Sequence, residues 1–73
     1  QYQEFELISV NPQDLNIEGK RIYPPIVDNY AKMNTDFPPI VLGANNEVID
    51  GFHRIAAAKH LGLDYIKAYR AIY

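Results

Sequence analysis

Seventy-three residues carrying a net charge of −2 and no cysteine make one small domain, near the lower limit of what a single apolar core can hold together. This composition excludes disulfides, thiolate metal sites and a cysteine nucleophile, and no apolar run approaches the ~20 residues of a membrane span. With no signal peptide in sight, a cytoplasmic soluble domain is the expectation, and a chain running from Gln1 into a terminal strand-like segment also fits a piece cut from a longer protein.

The charge is uneven along the chain. Residues 1–50 hold three basic and eight acidic side chains, a net of −5, whereas residues 51–73 hold four basic and one acidic, a net of +3. An acidic surface is a poor match for a long duplex, whose affinity depends on neutralising many phosphates. Positive charge gathered in one short segment suits a compact anion better.

In chain order, loose alternation predicts an opening strand over residues 2–10, with Phe5 and Leu7 on one side and Ile8 and Val10 on the other. Asn11-Pro12 ends it, because proline cannot donate to a ladder and restricts its predecessor. Gln13-Asp14-Leu15 reads as one helical turn, with Leu15 and Ile17 tucked under the domain, and Glu18-Gly19-Lys20-Arg21 as a polar turn. Pro25 suits the first position of a helix running to about Met33, whose apolar stripe is Ile26, Tyr30 and Met33. Phe37-Pro38-Pro39 leads into a short interior strand, Ile40-Val41-Leu42. Gly43 to Asn46 turn the chain, and Glu47-Val48-Ile49 return as a hairpin partner. A second helix then stops at Gly62, a natural left-handed C′ residue. The last strand, Tyr65 to Tyr73, puts Tyr65, Lys67, Tyr69, Ala71 and Tyr73 on one face and Ile66, Ala68, Arg70 and Ile72 on the other. The order β-α-β-β-α-β on so short a chain predicts an α+β fold, a sheet with helices packed on one face.

The most informative stretch is Val48-Ile49-Asp50-Gly51-Phe52-His53-Arg54-Ile55-Ala56-Ala57-Ala58. A strand passing through a glycine into a helix brings free backbone N–H groups and the positive end of the helix dipole together, which favours phosphate. Arg54, Ala57, Ala58 and Leu61 share one helical face, so Arg54 is expected to point inward at the top of a packed surface. An inward arginine needs an anionic partner, which is either an internal carboxylate or a ligand phosphate. Asp50 is a candidate general base or Mg²⁺ ligand, or alternatively an N-cap for the helix, and of the two the cap is preferred. His53 is a candidate phosphate donor or general acid. Lys32 and Thr35, at the end of the first helix, are within plausible reach of the same ligand, although a solvated helix end also explains them. Arg70 is expected to cover the sheet edge with its stem, and Tyr65, Tyr69 and Tyr73 form a stripe suited to stacking a base, meeting a partner or simply covering a half-buried face.

The Pro-Pro-Ile-Val-Leu strand, the polar hairpin and the Gly51-Phe52-His53-Arg54 helix, with the opening strand leading to Pro12-Gln13-Asp14-Leu15, resemble the ParB/sulfiredoxin superfamily over most of the chain, taken as one domain over 1–73. That resemblance implies a nucleotide or other phosphate ligand, ATP or CTP with Mg²⁺, held at Gly51, Phe52, His53 and Arg54. Related domains are described as ATPases, small-molecule kinases or nucleases, so metal-dependent phosphoryl transfer with Asp50 as the catalytic group is one implication. A non-catalytic DNA- or protein-interaction module of the same fold is the alternative. A homodimer, and DNA contact through further domains, are in keeping with the resemblance. Two departures stand out. Phe52 occupies the place of the sulfiredoxin cysteine, which rules out sulfinic-acid reduction, and Gly-Phe-His-Arg replaces the Gly-Glu-Arg-Arg usual in chromosome-partition proteins.

Overall fold

A computed structural model of the protein describes residues 3–33 and 37–73. Strand β1 (Phe5–Val10) is followed by a 3-10 turn (Pro12–Asp14), helix α1 (Pro24–Lys32), strands β2 (Ile40–Leu42) and β3 (Val48–Asp50), helix α2 (Phe52–Leu61) and strand β4 (Ile66–Ala71). The four strands form one mixed sheet in the order β1-β4-β2-β3. β1 and β3 pair antiparallel with β4 and β2, while β2 and β4 run parallel at the centre.

Local chemistry accounts for the boundaries. Asn11 caps the 3-10 turn by accepting from the Gln13 N–H at 2.9 Å. Pro24 and Pro25 open α1, where their missing N–H groups cost nothing. Asn46 adopts φ 63 in the β2–β3 turn, a conformation asparagine tolerates better than most residues. Gly62, at φ 69, closes α2, and the Leu63 N–H reaches back to the Ala58 carbonyl at 3.1 Å in the manner of a Schellman motif.

The core lies between α2 and one face of the sheet: Ile55 and Ala58 pack with Ile40, Leu42, Ile66 and Ala68, and Leu15 closes the end. Ala57 and Ala58 are fully buried, and small side chains there let the helix approach the strands closely. The expected α+β order is therefore present, with local differences: α1 opens at Pro24 rather than Pro25, and β3 runs Val48–Asp50 rather than 47–49. The buried face of α2 is built on Ile55, which the spacing from Arg54 passes over, while Leu61 is only half-buried. α1 buries no residue: Ile26 and Met33 of its expected stripe remain exposed, and the helix packs chiefly against α2. The end strands are shorter than expected, beginning at Phe5 and ending at Ala71, although the Ile72 N–H still donates to the Glu4 carbonyl at 2.8 Å. Tyr2 lies outside the described residues.

Arg70 does not lie bare along the sheet edge. It stands opposite Glu6 in the β1–β4 ladder and forms an ion pair with it at 3.1 Å. Leu7, Tyr69 and Val41 align across three strands on the other side of the sheet from the core. Leu7 is 55% exposed and Tyr69 44%.

Candidate anion site at the start of α2

β3 delivers the chain to Gly51, whose φ of 107 and ψ of 24 turn it directly into α2. Few other residues could stand here. A Cβ on Gly51 would come within 2.5 Å of Ile40 Cγ2 and 2.8 Å of Ile40 Cβ, in a left-handed conformation that side chains avoid. Gly51 is itself the N-cap, with the Ile55 N–H donating to its carbonyl at 2.9 Å, and no side chain caps the helix. The expected cap at Asp50 is thereby corrected. With Gly51 taking the cap position, Asp50 is one residue too early to serve the first turn.

Asp50 instead faces Arg54, with Oδ2 3.4 Å from Nη2. The pair is lopsided: the Arg54 side chain is 13% exposed and the Asp50 side chain 72%. Most of what holds Arg54 is backbone. Its Nη1 donates to the Pro39 carbonyl at 2.8 Å and the Pro38 carbonyl at 3.3 Å, and its guanidinium carbon lies 6.0 Å from the centre of the Tyr30 ring. The inward arginine thus has internal acceptors, and a water-exposed carboxylate as counter-ion. An exposed pair of this kind contributes little to stability, at most about 1 kcal/mol.

His53 is engaged from the other side. Its Nε2 accepts the Tyr23 backbone N–H at 3.1 Å, and the two rings lie nearly parallel, 5.9 Å apart with 12° between planes. Phe52 turns its ring under Lys20, whose Nζ is 4.9 Å from the ring centre.

Together these residues frame a cleft of about 290 Å³ lined by Ile26, Tyr30, Asp50, Gly51, Phe52, His53 and Arg54. Five of the seven residues expected at the site, Asp50 to Arg54, are brought together there. Lys32 is exposed in the last turn of α1 and is not among the described residues lining the cleft, and Thr35 lies outside the described residues. The wall formed by Ile26 and Tyr30, and the acceptors Pro38 and Pro39, were not foreseen. The apolar stripe of α1 was the available clue, since a stripe that packs on no sheet must face something else. Among the described residues, no group of three or more His, Cys, Asp or Glu side chains converges as a metal site. Likewise, no helix among them is long and apolar enough to cross a membrane.

Compared with known proteins, the chain matches no family model and no curated protein. It does superpose on a solved structure described as a Pnob8-like ParB-N domain, with a TM-score of 0.69 and 16% sequence identity over 94% of this chain. The match takes in 30% of that other chain. At this identity the likeness defines the fold, and the fold is ParB-N-like.

Proposed function

We propose that this domain binds a compact phosphate-bearing ligand, a nucleotide such as ATP or CTP, at the start of α2. The observation that carries the reading is the cleft at the N-terminus of a ten-residue helix, entered through a left-handed glycine and flanked by a nearly buried arginine. Helix geometry leaves the N–H groups of Phe52, His53 and Arg54 without carbonyl partners in their own helix, and the dipole adds partial positive charge at the same place. The apolar wall of Ile26 and Tyr30 gives the non-phosphate part of a nucleotide a surface to lie against.

Asp50 bears on what the site does with such a ligand. As the resident counter-ion of Arg54, it competes with an incoming phosphate and must turn away or be bridged. Mg²⁺ carried in with a nucleotide would supply charge to bridge it, since Mg²⁺ uses few protein carboxylates and keeps several waters. Among the described residues Asp50 is the one carboxylate lining the cleft, a sparse donor set for a resident metal, and two-metal nuclease chemistry needs more. Binding is therefore the reading these residues support best, with phosphoryl transfer resting on Asp50 alone.

The test is a titration of the domain with ATP and with CTP, with and without Mg²⁺, following the backbone amides of residues 51–56 by NMR. Saturable shifts confined to that segment support the site; their absence at millimolar nucleotide rejects it. A second reading, a non-catalytic interaction module, is favoured by the exposed Leu7 and Tyr69 on the open side of the sheet. It would be supported by partner binding that Leu7→Ser weakens while nucleotide leaves the amides of residues 51–56 unmoved.

A further inference from the structure

We infer that the backbone N–H of Tyr23 fixes the proton of His53 on Nδ1, which makes Tyr23 a positioning residue that ties the start of α1 to the first turn of α2. A backbone N–H can only donate, so the Nε2 atom it meets at 3.1 Å must carry a lone pair and no proton. In the neutral ring the proton then resides on Nδ1.

The surrounding backbone leaves Tyr23 little freedom to do anything else. Pro24 follows it, and a residue before proline is held in the extended region, where Tyr23 lies at φ −102 and ψ 114. Its carbonyl starts α1 by accepting from the N–H groups of Ile26 at 3.0 Å and Val27 at 3.2 Å. The two ends of one residue's backbone therefore serve two helices: the carbonyl nucleates α1, and the N–H grips α2 through His53. Because Pro24 and Pro25 have no N–H, the first turn of α1 has fewer donors to offer a ligand, so the start of α2 dominates the donor chemistry of the cleft. The near-parallel rings of Tyr23 and His53 add a stacking contact between the same two residues.

The consequence for the site, which rests on the phosphate reading above, is that His53 enters it with one donor. Nε2 is occupied, so the Nδ1–H is what the side chain has left for an anion. His53 then presents a single fixed donor, Nδ1–H, beside Arg54 and the helix terminus.

The experiment begins with the ligand-free protein, so it can succeed or fail independently of nucleotide binding. Long-range ¹H–¹⁵N correlation of the imidazole nitrogens is expected to show His53 protonated on Nδ1 and unprotonated on Nε2. The opposite tautomer overturns the inference. Two variants separate positioning from simple ring packing. In His53→Gln the side-chain oxygen reaches the former Nε2 position and can still accept from Tyr23, whereas in His53→Asn it reaches only the Nδ1 position. Hydrogen exchange of the Tyr23 amide should stay near its wild-type rate in His53→Gln and rise up to about tenfold in His53→Asn, as expected for one lost net hydrogen bond. Equal rates in the two variants overturn the inference. ATP is the probe for the last arm. If the phosphate reading holds, ATP moves the His53 Nδ1 resonance; if the tautomer is found but neither this resonance nor the amides of residues 51–56 move, the positioning role stands and the phosphate reading falls.

Discussion

The two helices are nearly the same length, nine and ten residues, yet they stand in opposite relations to the core. α1 carries an apolar stripe at i, i+4 and i+7 but buries no residue, whereas α2, whose surface is mostly alanine and polar groups, fully buries Ile55, Ala57 and Ala58. The difference teaches that close approach, set by small side chains, decides which helix lies on the sheet. The richer stripe of α1 goes to the flank of α2, where Ile26 and Tyr30 line the cleft. In this domain α2 supplies stability and the helix terminus, and α1 supplies a wall.

Mutations that act on one side of this contrast should have unequal effects. The largest is expected for Gly51→Ala, where strain at φ 107 and the collision with Ile40 act together. A cost of about 3 kcal/mol or more is expected, a large part of the stability of a small domain, and urea denaturation should show it as an unfolded or barely folded protein. Next comes the direct helix comparison. Ile55→Ala should cost about 2–4 kcal/mol in the same assay because it empties a fully buried position, while Ile26→Ala, at an exposed position, should cost under about 1 kcal/mol. Equal costs for these two would mean that the core is not organised around α2. Gly62→Ala sharpens the contrast between the two ends of α2. Among the described residues no atom lies within 4 Å of the added methyl, so backbone strain at φ 69 is the main cost, and a loss of about 1 kcal/mol is expected.

Much of this architecture could be read from the sequence because its determinants are local. Pro12 and Gly62 mark element ends through their own backbone chemistry, Pro25 reads as the first helical position one residue after the actual start at Pro24, and apolar triplets such as Ile40-Val41-Leu42 mark strands. The hairpin pairing of β2 with β3 was legible from the turn between them, but the other strand partners were not: the parallel register of Ile40 with Ala68 joins residues from opposite sides of a helix, and no local pattern encodes it. The site divides in the same way. Asp50 through Arg54 are consecutive, so the strand–glycine–helix pattern identified them, whereas Tyr23, Tyr30, Pro38 and Pro39 arrive from other elements. Asp50 was misread as a cap because aspartate favours that position in general. The buried, left-handed Gly51 takes the position instead and frees the carboxylate for Arg54.

That freed carboxylate offers the most direct test of the central claim, that the start of α2 is an anion site whose resident counter-ion is Asp50. The measurement is ATP affinity without Mg²⁺, by calorimetry, for the wild-type protein and Asp50→Asn. Removing one negative charge a few ångströms from the bound phosphates in a solvent-exposed setting is worth about 1 kcal/mol, so the variant should bind about fivefold more tightly with stability almost unchanged. Weaker binding by Asp50→Asn, or affinity that ignores the substitution, would contradict the account.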